Sequence, residues 1–138
     1  MRIEIFALSD AATGDLGKLS MLGAFDTIWV AKTPVVHPQC TIALRVRFER
    51  IERGEHKVVV HFADSDGKNV IPPAQGAIKM NFPDEQSSGS AHLILNIQGL
   101  KLERFGEYSI DLAIDGQHKA SLPLFVKERK QKFQGRNA

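Results

Sequence analysis

The sequence contains very little cysteine, tryptophan and tyrosine, with one residue of each in 138. The single cysteine, Cys40, cannot form a disulfide within the chain or supply a cysteine-rich zinc site. No apolar run approaches the roughly 20 residues that cross a bilayer as a helix. Glu4 and Asp10 also interrupt the apolar core that a signal peptide needs. These absences predict a cytoplasmic protein that has no disulfide and no membrane partner.

The chain also lacks a large excess of charge of either sign. It contains 18 lysine and arginine residues and 16 aspartate and glutamate residues, which gives a net charge of +2. Residues 127–138 hold five of the basic residues and one of the acidic ones, so the rest of the chain carries a net charge of −2. A nucleic-acid-binding domain normally carries its basic surface on the folded body, and we therefore expect no nucleic-acid partner. The pattern predicts a domain over residues 1–127 and a basic, flexible tail over residues 128–138.

Short segments that alternate between apolar and polar residues, or are rich in β-branched and aromatic residues, follow one another along the chain. They are residues 2–9, 18–31, 40–50, 57–63, 76–82, 91–98, 107–114 and 118–126. No connection between them contains a persuasive amphipathic helix. Short strands separated by turn residues are typical of β-sandwiches and barrels. We predict an all-β fold, a single antiparallel β-sandwich of about eight strands in an immunoglobulin-like Greek key, with a barrel or a jelly roll as the alternative.

Two neighbouring segments, residues 40–50 and 57–63, show the clearest alternation, and the turn residues 53–55 lie between them. This pattern predicts an antiparallel hairpin with one exposed face. The basic side chains predicted on that face are Arg45, Arg47, Lys57 and His61. Together they form a candidate anion site. The alternative is a solvated ladder in which acidic residues of a neighbouring strand, Glu107 and Asp111, lie opposite them.

Gly106 and Tyr108 stand at the entrance to the strand predicted over residues 107–114. A Gly-x-Tyr sequence at this point resembles the tyrosine corner of immunoglobulin-like sandwiches. The resemblance implies that Gly106 supplies a tight bend. It also implies that Tyr108 buries its ring and bonds its hydroxyl to upstream backbone. The alternative is that Tyr108 is only a core aromatic residue.

Residues 21–30 hold more apolar side chains than one face of a strand can take. A bulge at Gly23 would reset the alternation and turn these side chains inward. Without a bulge, Phe25 or Trp29 faces outward and forms a candidate interface with a partner.

Four stretches of the chain carry a resemblance to a known family. They are residues 5–12 (IFALSDAA), residues 17–27 with their GKL, LG and FDT, residues 37–39 (HPQ) and residues 102–108 (LERFGEY). Together they resemble a family of small bacterial β-sandwich proteins of unknown function, over most of residues 2–126. The resemblance implies a bacterial source and a compact all-β domain. It carries over no catalytic or binding residue.

Recognisable catalytic and metal-binding motifs are missing. The five histidines show neither the spacing of a metalloprotease nor a His-x-His pair, and no serine lies in a Gly-x-Ser-x-Gly elbow. Residues 64–69 resemble the start of a calcium loop but lack its terminal glutamate. A second calcium hypothesis needs Asp10, Asp15 and Asp66 to converge at one end of the sandwich.

We therefore predict no catalytic residue, no metal ligand and no cofactor, and expect a protein that is not an enzyme. The leading hypothesis is a non-catalytic interaction or structural module that forms a homodimer or binds another protein. The alternative is a domain that binds a small ligand (an anion, calcium or a sugar) with the loops at one end of the sandwich.

Overall fold

The computed structural model describes residues 1–130, and these residues form nine β-strands and one short 3-10 turn, Arg50–Glu52. The strands are β1 (Arg2–Asp15), β2 (Lys18–Ala24), β3 (Thr27–Val30), β4 (Val35–Glu49), β5 (Gly54–Ala63), β6 (Ala74–Met80), β7 (Ser88–Leu102), β8 (Gly106–Ile114) and β9 (Gln117–Glu128). This part of the chain has no helix of the length and apolar character that a membrane crossing requires. The predicted all-β fold is confirmed.

The strands form two sheets that pack face to face around one core. The first sheet has the order β2-β1-β4-β7 and the second has the order β3-β9-β8-β5-β6. Neighbouring strands are antiparallel, except that β3 runs parallel to β9. The predicted segment 18–31 divides into two strands, β2 and β3, which lie in different sheets. The chain therefore has nine strands where the sequence predicts eight. The β-sandwich is confirmed, and the immunoglobulin-like Greek key stays a prediction.

The core lies between the sheets, and the two regular alternating segments supply much of it. The buried apolar side chains of β4 and β5 include Ile42, Leu44, Val46, Phe48, Val58, Val60 and Phe62. Each fully buried side chain of this size contributes about 1.5–3 kcal/mol relative to the same side chain in water. The apolar positions of the predicted alternation in β4 and β5 are therefore the ones whose burial stabilises the fold.

The predicted hairpin between these two strands is wrong. β4 pairs with β1 and β7 in the first sheet, whereas β5 pairs with β6 and β8 in the second. The 3-10 turn at Arg50–Glu52 and Gly54, whose φ is +130°, carry the chain from one sheet to the other. A positive φ of this size favours glycine. The connection is thus a crossover between layers and not a hairpin turn.

The middle of β4 is buried on its outer face as well as on its inner face. Thr41 and Ala43 alternate with core residues, yet neither has any exposed surface. The far end of the β1–β2 hairpin reaches β7 at this face, where a side chain on Gly14 would collide with the His92 imidazole. The hairpin therefore folds back over the first sheet, and small residues allow this close approach.

The strand ladder extends slightly beyond the predicted domain boundary at residue 127. Glu128 pairs with Val30, and the Arg129 amide donates a hydrogen bond of 2.8 Å to the Val30 carbonyl. The first two residues of the predicted tail thus belong to the ladder. The end of that tail, residues 131–138, lies outside the described residues.

Tyr108 ties the start of β8 to the preceding loop. Its side chain is 5% exposed. Its hydroxyl donates to the Arg104 carbonyl at 2.7 Å and accepts from the Arg104 amide at 3.2 Å. Gly106 between them has a φ of +133°, which other residues rarely adopt. The Arg104 guanidinium then reaches the Asp66 carboxylate at 3.1 Å, so this corner also holds the loop between β5 and β6.

Candidate functional site

The residues of the predicted anion face lie on two different sheets. Arg45 and Arg47 lie on β4, and both side chains bind Glu4 of β1, at 2.9 Å and 2.6 Å. The hydrogen bond from Arg47 lowers the pKa of Glu4, and although burial opposes the shift, Arg45 adds to it. These two arginines therefore have an acidic partner that the sequence-based prediction did not include.

Lys57 and His61 lie on β5, in the other sheet. His61 stands directly opposite Asp111 of β8, which is the neighbour that the charge-ladder alternative proposed. Because the sandwich core separates β4 from β5, the four basic residues do not converge on one ligand. The prediction of a single anion site is wrong, because it assumed that β4 and β5 pair with each other, and they lie in different sheets.

The aspartates of the second calcium hypothesis are held apart. Asp10 and Asp15 belong to the same extended strand, and five residues of strand span about 16 Å. Asp66 binds Arg104 at 3.1 Å. Residues 1–130 contain no group of three or more side chains placed to hold a metal ion.

A largely apolar groove of about 510 Å³ runs along β3, at the edge of the second sheet. Its walls come from β3, from the end of β2 and from the start of β4. The principal lining residues are Phe25, Ile28, Trp29, Val35, Val36 and His37. Its charged group is Asp10, while the His37 Nε2 atom is buried and has no hydrogen-bond partner within the described chain. A cavity of this size falls within the range of small-molecule binding sites.

Phe25 forms a wall of this groove and is only partly exposed. Its ring packs against the core and lies 5.9 Å from the His37 ring. It also lines a second cavity of about 420 Å³ on the other side, between β1 and β9. Phe25 therefore separates two adjoining cavities at the point where the chain crosses from β2 to β3.

The predicted bulge at Gly23 is wrong. The pairing of β1 with β2 runs without a shift from Ser9 opposite Ala24 to Asp15 opposite Lys18. Gly23 has a φ of +71°, and any side chain there would collide with the Asp10 carboxylate. The apolar pattern instead resets where the chain changes sheets after Ala24.

Trp29 is the aromatic side chain that faces outward. It is 55% exposed on the outer face of β3, whereas its neighbour Ile28 is buried in the core. The Lys127 ammonium lies 5.4 Å from the centre of the Trp29 ring and 5.6 Å from that of Phe125. A cation at this distance attracts the face of an aromatic ring. Trp29 is thus contacted by Lys127, and more than half of its surface stays exposed.

A serine, a histidine and an aspartate meet on the outer face of the second sheet. Ser121 Oγ donates to Asp111 at 2.6 Å and lies 3.4 Å from His118 Nε2, and Ser109 also donates to Asp111. In a catalytic triad the histidine stands between the serine and the carboxylate. Here the serine stands between the other two, so the histidine is not placed to relay a proton.

His56 is a half-buried titratable group that no local pattern in the sequence marks. Its Nδ1 lies 2.6 Å from the Asp115 carboxylate and its Nε2 lies 2.6 Å from the Glu52 carbonyl. Because both partners are acceptors, only the doubly protonated ring satisfies both contacts. Burial lowers the pKa of His56, but the bonds to Asp115 and Glu52 outweigh it and the pKa is raised. Asp115 is more than 50 residues away in sequence, so no local pattern marks this pair.

We expect the His56 contact to stabilise the fold more at pH 6 than at pH 9. A raised folded-state pKa gives stability that is fully present below the ordinary pKa of about 6.5 and is lost as the pH rises through the folded-state pKa. The measurement is urea unfolding of the parent and of His56→Gln at both pH values. The difference in unfolding free energy should shrink at pH 9. An equal difference at both pH values would contradict the charged ring, and the exposed His118→Gln serves as the control.

Comparisons with known proteins assign no activity to this surface. No curated protein matches the chain. Among solved structures, the Pseudomonas fluorescens alkylpurine DNA glycosylase AlkC bound to DNA containing an abasic site analog is similar at 12% identity and a TM-score of 0.42. That likeness covers 91% of this chain but only 30% of the other, and it is too weak to indicate a shared fold or DNA binding.

One family model covers nearly all of the strands. It confirms the expectation of an uncharacterised family, while a bacterial source stays a prediction. The chain belongs to the family of unknown function DUF6941, whose model matches residues 4–127.

Proposed function

We propose that this protein acts by binding and not by catalysis, and that it binds a second copy of itself. The observation that carries the proposal is Trp29, which is more than half exposed on a sheet edge beside an apolar groove. Aromatic residues of this kind are enriched at the centres of protein interfaces. Exposed sheet edges also tend to pair with other strands unless they are protected.

The apolar surface continues beyond the ring. Val36, at the start of β4, is 55% exposed and lines the same groove as Trp29. A two-fold dimer needs only one self-complementary patch, and an edge strand with an aromatic side chain supplies one. Ser121 stands between Asp111 and His118, which is not the order of a catalytic triad, and this arrangement also supports a role without catalysis.

The association is expected to be visible as a change in mass on dilution. Light scattering should give about twice the chain mass of 15.3 kDa at high micromolar concentration and should approach the single-chain mass on dilution. Trp29→Ser should weaken the dimer by about 30-fold or more, because truncating a central aromatic residue costs roughly 2 kcal/mol or more. Trp29 is the chain's single tryptophan, so its fluorescence should shift to shorter wavelength as the dimer forms.

The matched control is Ile51→Ser, which removes an apolar side chain that is 94% exposed and lies on the 3-10 turn, away from β3. This variant should dimerise like the parent. The proposal fails if the parent is a monomer at high micromolar concentration. It also fails if Trp29→Ser unfolds the chain, as judged by circular dichroism, instead of giving a folded monomer. A monomeric parent would favour a small apolar ligand as the occupant of the groove.

A further inference from the structure

We propose that two copies join their β3 strands edge to edge, antiparallel, so that Thr27 of each copy lies opposite Trp29 of the other. This inference rests on the proposed function and specifies the geometry of the association. It extends the five-stranded sheet into one continuous sheet across the dimer.

The backbone of β3 has unpaired groups in the right places. The amides of Phe125 and Arg129 each donate a hydrogen bond of 2.8 Å, to the carbonyls of Asp26 and Val30. Those carbonyls therefore point toward β9. Because the backbone groups of a strand alternate in direction, the N–H and C=O groups of Thr27 and Trp29 point toward the free edge. No strand within residues 1–130 pairs with that edge.

The positions of these free groups fix the register. A hydrogen-bonded antiparallel pair exchanges two bonds between residues whose N–H and C=O groups face each other. Placing Ile28 on the two-fold axis brings Thr27 opposite Trp29 of the second copy, and the reverse, so that all four free groups of each strand are satisfied. This register also keeps the two Trp29 rings on the same outer face as the facing Thr27 residues.

The charges at the two ends of β3 are complementary in this register. Asp26 precedes the strand and Lys32 follows it, both are exposed, and neither forms an ion pair within the described part of the chain. With Ile28 on the axis, Asp26 lies opposite Val30 of the second copy. Lys32 of that copy lies two residues further on, in the bend of residues 31–34 that follows the strand, and its long side chain can extend from there toward Asp26. The dimer would thus contain two such ion pairs.

The test is a charge exchange between two separately purified variants. Asp26→Lys and Lys32→Asp should each dimerise about tenfold more weakly than the parent, because each replaces two attractions with two repulsions. Mixing them should restore association as a heterodimer, and high salt should reduce the whole effect. Glu55→Lys, on β5 in the interior of the sheet order, is the charge-change control and should leave dimerisation unchanged.

A disulfide trap tests the register itself. A mixture of Thr27→Cys and Trp29→Cys chains, oxidised at a concentration high enough to offset the loss of one Trp29 ring per dimer, should cross-link, because directly opposite residues have Cα atoms about 5.5 Å apart. Each variant alone should cross-link far less. Burial, together with the charge of Asp10, raises the pKa of Cys40 to about 11, which keeps that thiol unreactive.

The outcomes separate this inference from the one on which it rests. A monomeric parent overturns both. A dimer that Trp29→Ser dissociates, but in which the charge variants do not complement and the mixed cysteines do not cross-link, overturns the β3 geometry alone. Cross-linking of Trp29→Cys with itself, in preference to the mixture, would also overturn this register.

Discussion

Replacing Tyr108 with alanine is expected to lower the free energy of unfolding by about 3–5 kcal/mol, the usual range for a buried aromatic residue. The ring is 5% exposed and belongs to the core cluster. Its loss leaves a cavity and also removes the two hydrogen bonds that fix Arg104. Because Arg104 in turn holds Asp66, the loop between β5 and β6 should loosen as well.

Tyr108→Phe removes only the hydroxyl, so it separates the contribution of the hydroxyl to stability from that of the ring. It should cost roughly 1 kcal/mol, the net value of a typical hydrogen bond. Phe105→Ala is the control, because that neighbouring side chain is 40% exposed and its truncation should cost far less. Urea unfolding measures all three variants. If both Tyr108 variants are as stable as the parent, the corner does not hold the fold together.

The second large effect is expected at Phe48, where alanine should also cost about 3–5 kcal/mol. Phe48 has no exposed surface, and its ring stacks on the His56 ring with the two centres 4.5 Å apart. Its removal takes apolar area from the core and takes away the surface against which His56 is positioned. Phe48→Ala should therefore reduce the pH dependence that His56 gives to the unfolding free energy.

A double-mutant cycle with His56→Gln measures this coupling. Residues in direct contact usually have effects that do not add, with interaction energies of about 0.5–3 kcal/mol. The loss of stability in the double variant should be smaller than the sum of the two single losses. Additive losses would mean that the stacked rings act independently. Phe62→Ala, at a core aromatic residue of similar burial, is the control, and its effect should add to that of His56→Gln.

Local patterns in the sequence predicted the strands well. The alternation over residues 40–50 places Ile42, Leu44 and Phe48 on one face, and all three are fully buried. An Asp-Gly pair, as at residues 115–116, is typical of a tight hairpin turn, and both residues have the positive φ that such a turn needs. These successes share a cause, because each depends on residues that are close together in the chain.

The errors concern partners that are distant in sequence. The alternation predicts Arg45 and Arg47 beside β5, the next strand along the chain, whereas they bind Glu4, more than 40 residues earlier. The sequence shows the excess of apolar residues around Trp29. It does not show that the chain changes sheets between β2 and β3, which is what leaves this ring exposed. Periodicity says which side of a strand faces inward, but it does not say which strand lies beside it.

The parallel pairing of β3 with β9 has a consequence for how the chain folds. Thr27 lies beside Phe125, 98 residues later, and contacts between such distant residues form slowly because a large loop must first close. During synthesis, Trp29 leaves the ribosome early but has no strand to lie against until nearly the whole domain has followed. The edge proposed to recognise a second copy is therefore assembled last, and a partly made chain cannot present it.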